Sequence, residues 1–264
     1  MIGEYNKIQD KSARYNISPS SIASWFENPK YWYLSNIKKE VMFTDNTNTV
    51  FGTILHYAAE KYYDITEGKY SKTKLYDVVL GYLTTFNNNA DVDEWWIRDN
   101  LDSHIAVLFE FLSTRDKPKL MEYPTGFKPR DNFFIGGTVD AVNGTTVTDY
   151  KTCSSFAKEI KIHHKFQLLL YAEALNRNGI DIDTIEIVQI KRGDIKGKVS
   201  EKTGKIIGIK KPEIKSIKQK ITDDDRAWLK HHMRVLLDTL EVYDKHPELA
   251  AVLFRENPDS YIKI

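Results

Sequence analysis

The sequence predicts an α/β fold: a central mixed β-sheet flanked by helices, with a helical cap built from the N-terminal part. Three patterns predict it. Residues 133–152 (FFIGGTVDAVNGTTVTDYKT) alternate in character on either side of Asn143-Gly144. That dipeptide is the strongest short hairpin signal, because a two-residue type I′ turn needs positive φ at both centres. A helical run over 156–178 then leads to TIEIVQIK at 184–191, so strand, helix and strand make a parallel crossover unit beside the hairpin. Finally, much of 18–118 carries apolar residues at helical spacing.

In chain order, residues 1–17 are polar and read as irregular. Ser18 or Ser20 caps a helix to about Glu27, with Pro19 early in it, and Asn28-Pro29 breaks it. Lys30 to Ile37 is an aromatic-rich second short helix. Core packing is the simpler role for Trp25, Phe26, Tyr31, Trp32 and Tyr33, against stacking on unpaired bases. Val41 to Asn48 is turn-like. Helices follow over about Thr49–Asp64, Lys72–Asn88 and Val92–Thr114, the last ended by Pro118. Gly52, His56 and Glu60 share one face of the first, and Gly52 would let another backbone approach closely. Leu120 to Pro124 is a first strand, and Gly126 to Asn132 a turn before the hairpin. The helix over Phe156–Asn178 ends at Gly179. Residues 193–220 carry nine lysines against three acids and form a basic hairpin or extended arm, either a solvated hairpin or a phosphate-tracking arm, with a turn at Lys202–Gly204. A last helix runs from a Thr222 cap to about Tyr243, and Pro247 sets off a tail. No linker divides the chain. It reads as one domain over 1–264, with a mainly helical part at 18–118 and a sheet-and-helix core at 119–264.

Composition bounds the function. The 264 residues are 41% hydrophobic, enough for a large core. Lys plus Arg (38) balances Asp plus Glu (37), so any nucleic-acid surface must come from local clustering. The single cysteine, Cys153, excludes a disulfide framework and fits a reducing, cytoplasmic setting. No apolar run reaches membrane-spanning length, and the N-terminus lacks a secretory h-region.

The hairpin carries the chemistry. With Asn143 and Gly144 as the turn, Val142 faces Thr145 and Asp140 faces Val147. Asp140, Asp149 and Lys151 then share a face, with the two aspartates diagonal, ~7–8 Å apart at the backbone. One divalent cation could bridge them. A three-residue loop would instead put them on opposite faces. A solvated face with an Asp149–Lys151 pair is the bland alternative. Tyr150 points to the apolar side of the sheet.

Gly137-x-x-Asp140, Asp149-Tyr150-Lys151 and Gln167-Leu-Leu-Leu-Tyr171 together resemble the RecB-like branch of the PD-(D/E)XK nuclease superfamily. Gly52-Thr-Ile-Leu-His56 stands where that branch has a helical histidine before the hairpin. Ser18-Pro-Ser20 with Trp25-Phe26-x-x-Pro29 resembles its opening serine motif. The resemblance spans Ser18 to Tyr171. It implies a restriction-endonuclease-like core and a stand-alone, metal-dependent DNA exonuclease. His56, Asp140, Asp149 and the Tyr150 carbonyl would hold Mg²⁺ or Mn²⁺. Lys151 would act on the attacking hydroxide, and Gln167 and Tyr171 would position the strand. Glu122, where the family often has a glutamate, is a candidate extra carboxylate. Glu60 is either a supporting residue or half of a surface pair with Lys61 or Lys69. Some members hold an iron–sulfur cluster by one cysteine near the serine motif and three near the C-terminus. Asn28 stands at the first position and the C-terminal segment has no cysteine, so that cluster is excluded. The implied partners are single- or double-stranded DNA ends and a recombination or single-strand-binding protein, in recombination, repair or end processing of a cell or phage. A structure-specific or restriction-type endonuclease and a non-catalytic DNA-binding module are the alternatives. No G-x-S-x-G elbow or Walker loop is present.

Overall fold

The structure, a computed structural model, describes residues 8–40, 44–86, 89–199 and 206–246, together with residues 2, 204 and 249. The Lys202–Gly204 turn apart from Gly204, the part of the Val41–Asn48 turn at 41–43, the helix end at Asn88, and the break at Pro247 with its tail lie outside the described residues.

The chain opens with β1 (Tyr15–Ile17), then α1 (Pro19–Ala23), a 3₁₀ turn, α2 (Pro29–Trp32) and a π-helical turn over Tyr33–Lys38. Residues expected to be irregular therefore include a strand, since Tyr15–Ile17 pairs in parallel with Phe133–Ile135. Three residues with one inward apolar side chain give no readable period. Ser18 caps α1 by accepting from the Ser21 N–H at 3.1 Å, and Asn28 caps α2 by accepting from Tyr31 N–H at 2.9 Å. Trp32 and Tyr33 are buried and Trp25 and Phe26 pack against the same core.

Three helices follow: α3 (Thr47–Thr66), α4 (Lys72–Thr84) and α5 (Glu94–Ser113). Asn46 and Thr49 form a reciprocal capping box at the start of α3. The sheet comprises β2 (Leu120–Arg130), β3 (Phe133–Asn143), β4 (Thr146–Cys153), β5 (Thr184–Lys191) and β8 (Glu213–Lys220), plus β1. Helix α6 (Ile162–Arg177) connects β4 to β5. The strands β6 (Lys198–Val199) and β7 (Ile206–Ile207) form a separate ribbon, and α7 (Asp223–Lys245) follows β8. The order is β2-β3-β4-β5-β8, with β1 also beside β3. β4 and β5 are parallel across α6, and the other pairs of this path are antiparallel, so the sheet is mixed.

The structure corrects four boundaries. The expected turn at Gly126–Asn132 is mostly strand: Pro124, Gly126 and Phe127 pair with Thr138, Gly136 and Ile135. Proline and glycine are tolerated there because β2 is an edge strand. Helix α6 starts at Ile162, since residues from Phe156 onward first form a loop pinned by a two-way bond between Ala157 and the Gln189 amide. The last third of the basic arm is β8, an edge strand of the main sheet. Among the described residues between Asp194 and Lys210, whose ends are joined by two backbone bonds of 2.7 and 2.9 Å, the β6–β7 ribbon stands off the main sheet. Its base is held to α5, where the buried His104 Nε2 accepts from Gly193 N–H and the Asn100 carbonyl oxygen of the side chain accepts from Ile195 N–H. In the hairpin the turn is Gly144-Thr145, with Asn143 opposite Thr146 and Ala141 opposite Thr148. Of the two turn residues only Gly144 has positive φ, at 56°, the requirement of a type II′ turn.

The sheet separates two cores. One packs α6, α7 and the N-terminal helices on residues such as Phe133, Ile135, Val147 and Ile187. The other packs α3, α4 and α5 on Ala141, Tyr150, Val188 and Ile190. At the N-terminus of α7, Thr222 and Asp225 cap each other's backbone, and Asp225 also pairs with Lys165 of α6 at 2.6 Å. The side chain of Phe166 on α6 is fully buried, with ring centroids 4.7 Å from Phe26 and 5.4 Å from Trp228. Phe166→Ala is therefore expected to cost about 3–5 kcal/mol in urea denaturation, the range for truncating a buried aromatic ring. A loss below about 1 kcal/mol would show that α6 is not fixed by this cluster.

Candidate active site

A strand has two hydrogen-bonding edges, and β2 occupies one edge of β3 along most of its length. The other edge is shared: β1 takes Phe133–Ile135 and β4 takes Ala141–Asn143. Residues 136–140 therefore have no strand partner on that side. A cavity of about 880 Å³ opens at this gap, lined by β1, the start of α1, α3 and the C-terminal half of β4.

Continuing the β3–β4 register places Asp140 directly opposite Asp149, not diagonal to it as the expected turn required. The parity survives because both turns hold two residues. Past Ala141 the ladder ends, and the Asp140 carboxylate substitutes for it by accepting the Tyr150 backbone N–H at 2.7 Å. Glu122 lies opposite Asp140 in the β2 register, with φ at +44°. Side-chain alternation breaks there in both strands: Tyr123 and Val139 pack in the α6-side core, Met121 and Ala141 in the α3-side core. A left-handed φ at a non-glycine residue is strained and occurs where surrounding structure enforces it. Three carboxylates thus stand in a row on three adjacent strands.

Helix α3 supplies His56, whose Nδ1 is 3.4 Å from Asp140 Oδ1. One ligand atom each from His56, Glu122 and Asp140 lie within 4.8 Å of one another, the cluster of this kind among the described residues. Asp149 faces the other way. Its Oδ1 accepts from Gln167 Nε2 at 2.9 Å, and Lys151 Nζ lies 3.1 Å from its Oδ2. Tyr171, one turn beyond Gln167, brings its hydroxyl against Gly137, where an added Cβ would stand 3.2 Å from it. A Cβ there would also stand 3.2 Å from Pro19 Cδ, so a larger residue would need both neighbours to give by a few tenths of an ångström. All these residues line the same cavity.

Other expectations change. Gly52 does not mediate a backbone approach: a Cβ there would meet the Thr152 side chain at an ordinary 3.5 Å. Glu60 pairs with Lys61, the surface-pair reading of this residue. Ser18 and Ser20 both line the cavity, their hydroxyls 3.2 Å apart. Arg192 was not singled out by the sequence and also lines it. Its place just beyond β5, at the C-terminal edge of the crossover unit, was the available signal.

The electrostatics fit a divalent cation. Buried carboxylate oxygens normally find donors, yet Glu122 Oε2 and Asp149 Oδ2 accept no well-directed hydrogen bond. Burial, with the nearby Asp140 charge, pushes the Glu122 carboxyl up to about 8. Burial raises Asp149 to about 6, with the Lys151 ammonium opposing it. Burial would raise Asp140 too, but the His56 imidazolium outweighs it and holds the carboxyl below its usual range. Burial would lower His56, and Asp140 reverses this, raising it to about 9. Burial likewise works against the Lys151 charge, and Asp149 with Asp140 restores it. Near neutral pH the cleft thus holds protons on His56 and Glu122, the two members of the ligand cluster that must lose them to bind a metal. Exchanging two protons for one dication leaves the charge of the cleft unchanged. His56, Glu122 and Asp140 would hold the ion, with Asp149 adjoining.

This exchange sets a pH dependence. Both groups have raised pKa values, so they stay protonated below pH 8 and compete with the ion there. Metal affinity is expected to rise with pH, by about two log units per unit below pH 8 and less steeply up to about pH 9. Calorimetric titration at pH 7 in buffers of different ionisation heat should show nearly two protons released per ion. Release of less than about one proton would show that these side chains are not the ligands.

No curated protein sequence matches the chain. Among solved structures it is similar to a protein from Eubacterium rectale described as a candidate exonuclease, with TM-score 0.53 and 12% identity, covering 90% of this chain and 85% of that one. A second, SSO0001, has TM-score 0.37 and 14% identity, covering 90% and 79%. The first likeness supports the fold. The sequence profile of the PD-(D/E)XK nuclease superfamily matches residues 16–248, a span holding the mixed sheet, its flanking helices and every residue of the cleft described above. The chain therefore belongs to the PD-(D/E)XK nuclease superfamily and is a metal-dependent nuclease.

Proposed function

We propose that this nuclease is a DNA exonuclease working with Mg²⁺ or Mn²⁺, in recombination, repair or DNA-end processing. The observation that carries the reading is the convergence of His56, Glu122, Asp140, Asp149 and Lys151 at the floor of one cavity. The exonuclease mode leans on the description of the Eubacterium rectale protein. Helical residues 18–118 and sheet residues 119–264 would act as one nuclease domain, since the cleft takes residues from both.

A bound divalent ion supplies Lewis-acid stabilisation of phosphate charge and a more acidic water. The protein does the rest. Asp140 and Glu122, with His56, provide oxygen and nitrogen donors, and the imidazole tilts the preference toward Mn²⁺. The Tyr150 carbonyl is a further candidate oxygen. Asp149 is held in place by Gln167. Lys151, two residues along on the same strand, orients the attacking water and stabilises charge developing on the phosphate. Tyr171 and Gln167 form the wall against which the substrate strand rests.

End-labelled single- and double-stranded DNA and a covalently closed circle, each incubated with Mg²⁺ or Mn²⁺, should separate the modes. The linear substrates should shorten from their ends while the circle survives. A linearised circle would assign an endonuclease, and no cleavage of any substrate would leave a DNA-binding module.

Asp140→Ala and Asp149→Ala should each lower cleavage by at least ~10²-fold, as expected when a metal-site contribution of several kcal/mol is lost. Lys151→Ala should bind metal normally by calorimetry and still lose turnover. Lys151→Arg should not restore it, because a planar fork does not replace a compact ammonium. Wild-type rates in either aspartate variant, with an unchanged melting curve, would remove the assignment.

A further inference from the structure

We propose that the DNA strand leaves the cleft over a basic ledge at the C-terminal edge of β4 and β5, where Lys158, Lys161 and Lys215 take its backbone phosphates and Phe156 supports it. This rests on the nuclease reading and adds a path for the substrate.

The ledge is built by the sheet register. Cys153, the last residue of β4, lies beside Lys191, the last of β5, and Gln189 lies opposite Lys215 on β8. The Arg192 N–H bonds the Cys153 carbonyl at 2.8 Å, so chain continuity carries the cleft wall at Thr152 and Arg192 directly onto this edge. The loop at 154–161 is folded over the same edge by the Ala157–Gln189 bonds. Lys161, Lys191 and Arg192 all act electrostatically on the Cys153 thiol. Phe156 carries Lys215 Nζ 4.7 Å and Lys191 Nζ 5.4 Å from its ring centroid.

Counterions inside the protein are few here. Lys191 pairs with Glu213 at 2.6 Å. Lys158, Lys161, Arg192 and Lys215 make no ion pair with a described carboxylate, Glu213 feeling Lys215 only at longer range and Glu159 standing exposed beside Lys158. Lys158, Lys161 and Lys215 are exposed, and Arg192 is half-buried at the cavity rim. The chain as a whole is nearly neutral, with 38 basic and 37 acidic residues, so an unpaired cluster beside the cleft is a local feature. Like charges that outnumber the carboxylates beside them repel, and a polyanion running past them relieves that repulsion. Continuity with the cleft makes a substrate strand the fitting polyanion, and the half-buried Phe156 ring beside these lysines offers an unpaired base a surface to rest on.

The test measures binding without cleavage. Fluorescence anisotropy of a labelled 30-nucleotide strand in EDTA, across a salt series, compares wild type with a Lys158→Gln/Lys161→Gln/Lys215→Gln variant and with a Lys72→Gln/Lys74→Gln control on α4. The ledge variant should bind roughly tenfold more weakly, and its log Kd against log salt slope should drop by about two, near 0.7 per lost phosphate contact. The control should match wild type. A slope unchanged in the ledge variant, or equally reduced in the control, overturns the ledge. As a measurement needing no variant, photocrosslinking of wild type to a strand bearing iodouracil should label the peptide holding Phe156, and labelling confined to other peptides counts against the path. Because binding is read in EDTA, a protein that binds with the expected slope yet never cleaves would overturn the nuclease reading and leave the ledge standing. One that cleaves with an unaltered slope would do the reverse.

Discussion

Three carboxylates side by side in a half-dry cleft are the constraint around which this molecule is arranged. Glu122, Asp140 and Asp149 come from three neighbouring strands, and mutual repulsion with burial would drive them apart or protonate them. The fold answers each separately. Asp140 takes a backbone N–H and an imidazolium. Asp149 takes an amide and an ammonium. Glu122 keeps its proton, held in place by a strained φ. Around them, ordinary packing does the stabilising. Two apolar cores, one on each face of the sheet, fix the helices that deliver His56 from one side and Gln167 with Tyr171 from the other.

The position of the cleft follows from topology. β3 has more neighbours than edges, so β1 and β4 share one edge and leave residues 136–140 between them. A strand with an unpaired middle would ordinarily be a liability. Here α1 and α3 flank the gap, and the polar side chains of the site meet across it.

How much of this could be read from the sequence depended on the kind of signal. Long, periodic elements were legible, because an amphipathic or β-branched run has one low-energy solution: α3, α5, β5 and the capped α7 stand within a few residues of expectation, and α6 ends where expected though it starts six residues late. That Asp140 and Asp149 come together across β3 and β4 was legible, because it depends on the parity of the turn. The shared face was not: alternation breaks at Asp140, which meets His56 of α3 while Asp149 is held by Gln167 of α6. The register was not, since Asn143-Gly144 and Gly144-Thr145 are both acceptable two-residue turns and tertiary contacts chose between them. β2 was misread because Pro124, Gly126 and Pro129 are turn residues in isolation and harmless on an edge strand. β1 is too short to announce itself. Of the cleft, His56, Gln167 and Tyr171 were reachable through motif resemblance. Glu122 stayed ambiguous because the feature that aims it, a positive φ, leaves no mark in a residue type that seldom adopts one.

The segment between Asp194 and Lys210 has a consequence of another kind. Its two ends meet through a pair of backbone bonds and are fastened to α5 by His104 and Asn100, so the sheet is complete without what lies between. The entropy of closing such a loop grows only with the logarithm of its length. Lengthening, shortening or replacing the insert should therefore leave the stability of the sheet almost untouched. The position is a module boundary, where a segment of another length, a tag or a sensor domain can be spliced in while the carboxylate row stays as it is.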